Sequence, residues 1–469
     1  MAEVLSQTWS VCPYCLQKIR ADITVGADGQ IHMEKNCPEH GSFDVPIWKG
    51  DKESYLRWGQ EVASAHAIKN PKPVEKGCPH DCGLCANHQR NGCCVLLELT
   101  NRCNLQCPVC FASAEEQGDD VPLEQIEQQY TYLMEHGGPF NIHLSGGEPT
   151  LRNDLDRIVS LGKEKGFSYF QLNTNGLRIA QEEGYARTLK DIGISCVFLQ
   201  FDSLDDRIYR ILRGDELLSI KEKAIENCRK VSLPVVLVPV IVDQVNDHEI
   251  GALIDYAMQQ APNVRGIHFQ PLSYFGRCDL QIPEKEECCC QSEEKTDCCS
   301  DMEECCARPF TQPTHITIPQ MLEAIEKQTN GQIKAEHFKG GGAENPYCSF
   351  HAAYRLHGQD LHVLQQKQSS CCCGIKSEEA MEYVSRQWGN QADDHEEIEN
   401  VESSSLDIFL KQALQETFTI SGMLFQDAWN LDFRRLQRCY ICESDGQRGM
   451  IPFCAYNLTD SNGKALYRK

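Results

Sequence analysis

Within TNRCNLQCPVCFA, Cys103, Cys107 and Cys110 stand in C-x3-C-x2-C spacing. Three thiolates so placed on one loop can wrap a [4Fe–4S] cube and hold three of its irons, which leaves the fourth iron open to a small molecule. The spacing recurs upstream in GCPHDCGLC, where Cys78, Cys82 and Cys85, with Cys94 or Cys93, offer a full thiol set for a second cube or for a structural zinc ion. At the N-terminus, CPYC and CPEHG set Cys12, Cys15 and Cys37 as a zinc-ribbon or rubredoxin-like knuckle for one mononuclear iron or zinc. His40 is the nearest fourth donor, and sulfur-rich tetrahedra suit both metals. Near the other end, Cys439, Cys442 and Cys454, with Cys348 from NPYCSF, make a candidate set for a further auxiliary cluster.

Elements must hold these loops. Short apolar runs at 95–100, 140–145, 167–173, 195–202, 234–242 and 264–271 alternate with helical text. That alternation implies a parallel sheet, doubly wound or curled into a partial barrel, with ligands at the C-terminal strand ends. One helix is expected after Asp120 as N-cap, with Pro122 in its first turn and a stop at Gly137 and Gly138. Polar sets follow the strands in order. SGGEP carries Gly146 and Gly147, which let backbone approach a ligand, and Glu148, which can accept from an ammonium group. NTNG presents Asn173, QFDS presents Gln200 and Asp202, and HFQP presents His268 and Gln270. The end of the chain, RCYICESDGQRGMIPFCAYN, reads as a hairpin.

The chain has 469 residues, 28 of them cysteine, and a net charge of −23. That charge excludes a sequence-independent nucleic-acid binder. The longest apolar run, 231–242, is too short to span a membrane and is broken by Pro234 and Pro239. MAEVLSQTWS lacks a basic region followed by an apolar stretch, so a cytoplasmic location is expected. Short-spaced thiols in a long chain without a leader point to metal ligation rather than a disulfide framework. Two biased tracts interrupt the pattern, one at 276–312 with Cys288–Cys290, Cys298, Cys299, Cys305 and Cys306, the other at 365–405 with Cys371–Cys373. Their vicinal thiols either bind thiophilic ions or belong to low-complexity insertions without a site.

The triple-cysteine loop and SGGEP on successive strands resemble the radical S-adenosylmethionine (SAM) superfamily. The fuller set, CPYC…CPEHG, GCPHDCGLC and IPFCAYN, looks like the branch that holds the archaeal tetraether-lipid synthases and their bacterial homologues. This likeness covers residues 11 to about 275 and returns at 313–350 and 406–457. It implies a partial (β/α)6 TIM-type barrel with an N-terminal zinc-ribbon or rubredoxin-like module and a C-terminal cysteine-containing extension. The divisions would be 1–50, 51–93, 94–275, 276–312 and 313–469. It further implies a radical cluster on Cys103, Cys107 and Cys110, one or two auxiliary [4Fe–4S] clusters, and S-adenosyl-L-methionine bound beside Gly146, Gly147, Glu148, Asn173, Gln200 and Asp202.

By the same likeness, reductive cleavage of S-adenosylmethionine would give a 5′-deoxyadenosyl radical that takes hydrogen from an unactivated carbon. Carbon–carbon coupling of lipid tails or alkyl modification follows as the expected reaction, with peripheral membrane contact. Methyl transfer, or modification of a peptide or of an arsenic or other thiophilic compound, is the alternative. A non-catalytic metal-binding or electron-transfer protein is the alternative of another class, and it leaves SGGEP unexplained. A flavodoxin- or ferredoxin-type electron donor and a small-molecule or lipid substrate are the expected partners.

Overall fold

The computed structural model describes residues 3–60, 68–280, 313–341, 345–357, 360–364, 381–382, 385, 388–389 and 417–468. Cys288–Cys290, Cys298, Cys299, Cys305, Cys306 and Cys371–Cys373 of the two biased tracts lie outside them.

Strands β1 (Glu3–Val11), β2 (Lys18–Val25), β3 (Ile31–Cys37) and β4 (Gly41–Trp48) form an antiparallel meander. The main sheet begins with β5 (Cys94–Glu98), which runs into the triple-cysteine loop and its two-residue strand β6 (Val109–Cys110). It continues with β7 (Asn141–Ser145), β8 (Phe170–Thr174), β9 (Cys196–Gln200), β10 (Val235–Val238), β11 (Val240–Ile241) and β12 (Val264–Pro271). Then follow β13 (Arg277–Cys278), which pairs with β6, and β14 (Ser349–His357), β15 (Asp360–Val363), β16 (Thr417–Met423), β17 (Ile441–Asp445) and β18 (Gly449–Pro452). The spatial order is β15-β14-β16-β12-β10-β9-β8-β7-β5-β17-β18, with β11 beside β12.

The expected runs become parallel strands, joined by helices as in a radical SAM partial barrel. Residues 417–445 add two more parallel strands, β16 against β12 and β17 against β5. The C-terminal segment therefore completes the sheet that the sequence confines to 94–275. The 438–457 text does form the expected hairpin, β17–β18.

Strand side chains alternate between faces. Val95, Leu97, Ile142, Leu144, Leu172, Val197, Leu199, Leu237 and Ile267 point to one face, fully buried beneath the helices. Parallel strands covered on both faces would be apolar throughout. Here the opposite face carries His143, Gln171, Asn173, Phe198, Gln200, His268 and Gln270, most of them part-exposed. The interior face of the curl thus carries a band of polar side chains beside apolar ones.

Helix Leu123–Glu135 buries Ile126, Tyr130 and Leu133, but its N-cap is Pro122, not Asp120. Asp120 accepts instead from Thr100 Oγ1 and pairs with Arg102. Gly137, at φ +118°, follows the helix in the left-handed region. Among the described residues, no helix is long and apolar enough to cross a membrane.

Docking β17 on β5 buries Glu443 opposite Leu96, on the interior face. Neither of its carboxylate oxygens has a hydrogen-bond partner. Burial, then the neighbouring charge of Glu98, push its pKa well above the usual carboxylate range, against a smaller downward pull from Arg468. A raised folded pKa means the native state keeps a proton that the unfolded chain releases. The contribution is therefore fully present below the unfolded value, about 4.3, and is lost as pH rises toward the folded one. Glu443→Gln should flatten the decline of the urea midpoint between pH 5 and pH 8. The gap between variant and parent should widen with pH by up to about 1.4 kcal/mol per pH unit. Parallel pH profiles would refute the protonated state.

Candidate active site and metal centres

The loop after β7 is welded to the triple-cysteine loop by backbone. Leu99 N donates to Ser145 O at 2.9 Å, Gly147 N to Thr100 O at 2.7 Å, and Glu148 N to Arg102 O at 2.8 Å. A Cβ on Gly147 would lie 2.1 Å from the Arg102 carbonyl oxygen, and one on Gly146, at φ +120°, 2.4 Å from that of Thr100. The glycines thus serve loop-on-loop packing, whereas the sequence suggested room for a ligand. Glu148 is buried, and its Oε1 accepts from Thr150 N, Thr150 Oγ1 and Thr174 Oγ1. Its Oε2 accepts from Asn175 N at 2.7 Å. One carboxylate therefore locks the loops after β7 and β8 together.

Cys103, Cys107 and Cys110 pack with Leu105, Leu177, Tyr209 and Leu217. Burial pushes the Cys103 thiol up to about 12, and the charges of Glu148, Cys107 and Cys110 add to that. Burial also raises Cys107, opposed by Arg213. The three thiols feel one another's charge from a single loop. Soft donors so grouped, in an apolar wall with cations behind them, fit the three-thiolate hold on an iron–sulfur cube.

Two of those cations escape a reading by sequence. Arg213 is buried, pairs with Asp202 at 2.7 Å, and donates to Val109 O in the cysteine loop at 3.0 Å. Lys221 is buried, donates to Asn175 O at 2.5 Å and Gln200 Oε1 at 3.3 Å, and is pulled down to about 8 by burial. The signal was present: Lys221 shares the buried helical stripe of Ala224, Ile225 and Cys228. Asp202 is wholly buried, its oxygens taken by Arg213 and the Val240 amide. The sequence places it at the mouth as a cofactor ligand, whereas in the structure it anchors the cysteine loop through Arg213. Asn173 accepts from Gln171, and both Asn173 and Gln200 face the interior.

The other thiols form separate groups. Cys12, Cys15, Cys37 and His40 each bring one ligand atom within 4.8 Å of the others, a Cys3His set of the composition that zinc takes. Burial, then the charges of Cys78 and Cys85, raise Cys82. Cys442 faces the helix side of the sheet, and its charge couples to Cys439 and Cys82. It therefore lies across the sheet from Cys454, which packs with the interior cluster. Cys348 and Cys454 share Arg435, whose Nε is 3.3 Å from Cys348 Sγ. Cys454 also feels the charges of Cys439 and Cys348, so those three of the sequence set stay near one another, and Cys442 is the member that its strand turns to the other face. Cys94 opens β5 with its Sγ 3.8 Å from that of Cys93.

A family model for the radical SAM superfamily matches residues 97–257, and one for the HMPTM N-terminal zinc ribbon domain matches 4–49. The chain is 34% identical to the 7,8-dihydro-6-hydroxymethylpterin dimethyltransferase of Methanocaldococcus jannaschii, over 96% of this chain and 93% of that one. It is 33% identical to a probable GTP 3′,8-cyclase of Sulfolobus acidocaldarius over 38% of this chain, spanning 56% of that relative's length. The crystal structure of Streptococcus suis SuiB bound to S-adenosylmethionine matches with a TM-score of 0.36 at 18% identity, covering 42% of this chain and 45% of that one. The chain belongs to the radical SAM superfamily of enzymes. Its likeness to the pterin dimethyltransferase runs through nearly its whole length, zinc ribbon included.

Two outcomes are expected here. Arg213→Met leaves the Asp202 charge buried without its partner and should lower stability by about 3–5 kcal/mol in urea unfolding, with Asp202→Asn in the same protein restoring much of the loss. A single variant as stable as the parent would remove the anchor role. His40→Ala should reduce tightly held zinc, about one ion per protein, after dialysis against a chelator. Unchanged metal content by mass spectrometry would remove His40 from the set.

Proposed function

We propose that the protein is a radical SAM enzyme that adds a one-carbon group to an unactivated carbon of a small, planar, polar substrate, with a reduced hydroxymethylpterin as the first candidate. The observation that carries this reading is the polar, part-open inner face of the sheet, which leads to the strand ends bearing the cysteine loop. The full-length likeness to a pterin dimethyltransferase agrees with it.

Cys103, Cys107 and Cys110 would hold a [4Fe–4S] cluster, which together with S-adenosylmethionine would supply the radical chemistry. Gly146, Gly147, Glu148, Asn173 and Gln200 form the wall proposed for that cofactor. Glu148 Oε2, with one hydrogen bond accepted, keeps a lone pair for an ammonium group. Cys78, Cys82 and Cys85 are proposed to hold an auxiliary cluster, with Cys442 the thiol that couples to them from the hairpin. A flavodoxin- or ferredoxin-type donor would supply the electron.

Carbon–carbon coupling of lipid tails, drawn from the resemblance to the tetraether-lipid synthases, is the competing reading. A hydrocarbon tail along this inner face would leave buried polar atoms of His143 and Gln171 unpaired, which is costly.

The test is anaerobic incubation of reconstituted protein with S-adenosylmethionine, a reductant and 6-hydroxymethyl-7,8-dihydropterin. With a second S-adenosylmethionine as methyl donor and two electrons per turnover from the reductant, mass spectrometry should find 5′-deoxyadenosine, methionine, S-adenosylhomocysteine and a methylated pterin, and Cys107→Ala should lose all four. Unmodified pterin beside cross-linked tails in a parallel incubation with a diether lipid would overturn the pterin reading in favour of the lipid one.

A further inference from the structure

Among the described residues, two neighbouring polar atoms of the inner face, one on β7 and one on β8, are left unpaired by the protein itself, as is the Glu443 carboxyl two strands away. Gln171, on β8, is 2% exposed. Its Nε2 donates to His143 Nδ1 at 3.2 Å and to Asn173 Oδ1 at 2.8 Å. Its Oε1 has no partner. Because His143 Nδ1 accepts, the neutral ring carries its hydrogen on Nε2, and that atom too is buried without a partner. Buried polar atoms are almost always paired, so two neighbouring exceptions on one wall call for an explanation.

The surroundings limit what could satisfy them. Phe198 on β9 lies between the two histidines of this face, its ring centroid 6.4 Å from His143 and 6.0 Å from His268. Trp388 meets Phe198 edge-on at 6.0 Å. His268 is held by Ser421, with 2.9 Å between Nδ1 and Oγ. One acidic group shares this row: Glu443 on β17 lies in register with Leu96 and His143, and burial raises its pKa so that it stands as a neutral acid. Glu98, the carboxylate at the same end of β5, is paired with Arg468 and accepts from Tyr456. An aromatic flank beside one N–H donor and one C=O acceptor suits a flat, uncharged ring with a cyclic-amide edge.

We propose that His143 and Gln171 form the substrate-recognition edge of the chamber, His143 Nε2 donating to a ring carbonyl and Gln171 Oε1 accepting from the adjacent ring N–H of a neutral lactam heterocycle, with Phe198 against its face. This rests on the proposed function and extends it to the residues that select the ring. Asn173 acts as a positioning residue. It fixes the Gln171 amide so that the oxygen is left for substrate.

The experiment is binding of 6-hydroxymethyl-7,8-dihydropterin to the anaerobic, cluster-loaded protein with S-adenosylmethionine present, followed by the fluorescence of the pterin. The parent should bind. His143→Phe and Gln171→Leu should each weaken binding roughly ten- to hundredfold, as loss of one partner leaves a buried group unsatisfied. His143→Gln, which restores an N–H donor, should recover part of the affinity. Iron content and melting temperature report whether each variant has folded. Equal affinity in parent and in folded variants would overturn the recognition edge while the pterin reading stands. Absence of binding in the parent would overturn both. Weakening by His143→Phe without recovery in His143→Gln would show packing rather than donation and would also refute the edge.

Discussion

The site depends on a carboxylate that has been taken out of water and given four hydrogen bonds. A buried charge without such partners would be expelled or neutralised. Glu148 avoids this because the fold brings two threonine hydroxyls and two amides to it from the loops after β7 and β8. The same loop is stitched by its own backbone to the cysteine loop after β5. Three strand ends therefore move as one body. The spacing between the thiol trio, the SGGEP turn and the NTNG turn is set by this knot, and charge-assisted hydrogen bonds make it stiff.

A second layer beneath that knot deals with charge. Thiolates on a cluster are anionic, and here they sit among leucines and a tyrosine. Arg213 and Lys221 approach from the helices behind, with Asp202 compensating in part. An opposite charge nearby favours the ionised thiol, which burial alone opposes. The Arg213 guanidinium is also a strut, since it joins Asp202 at the end of β9 to the Val109 carbonyl in the loop. Electrostatics and positioning are carried by the same side chains.

Legibility in the sequence followed the range of the interaction. The runs at 95–100, 140–145 and 195–202 became strands because local apolarity and length suffice to mark them. The cysteine spacings were equally plain. Strands β16 and β17 were not, because membership of a parallel sheet is decided by partners hundreds of residues away, and nothing in TFTISGM names β12 as its neighbour. Lys221 was missed because a lysine in a helical pattern is read as solvent-facing, although its stripe with Ala224, Ile225 and Cys228 said otherwise. Cys442 was assigned to the Cys454 group because the two are close in sequence. The two-residue period of a strand turns it to the other face.

The two ends of the protein are tied to each other in a way that bears on the metal centres. Lys35 in the ribbon donates to Ala428 O at 2.8 Å, Thr8 to Asp432 at 2.7 Å, and Tyr467 to Pro79 O at 2.6 Å. The ribbon and the Cys78–Cys85 loop are thus fastened to the segment that supplies β17. β17 in turn lies against β5, the strand that launches the triple-cysteine loop. A metal bound in the ribbon would therefore stabilise a surface on which the C-terminal segment rests, since metal-binding energy is also folding energy. The dispersed cysteines make sense on these terms. Two of the groupings, Cys82 with Cys442 and Cys348 with Cys454 around Arg435, join distant parts of the sequence beside β17, the strand that flanks the one from which the triple-cysteine loop departs.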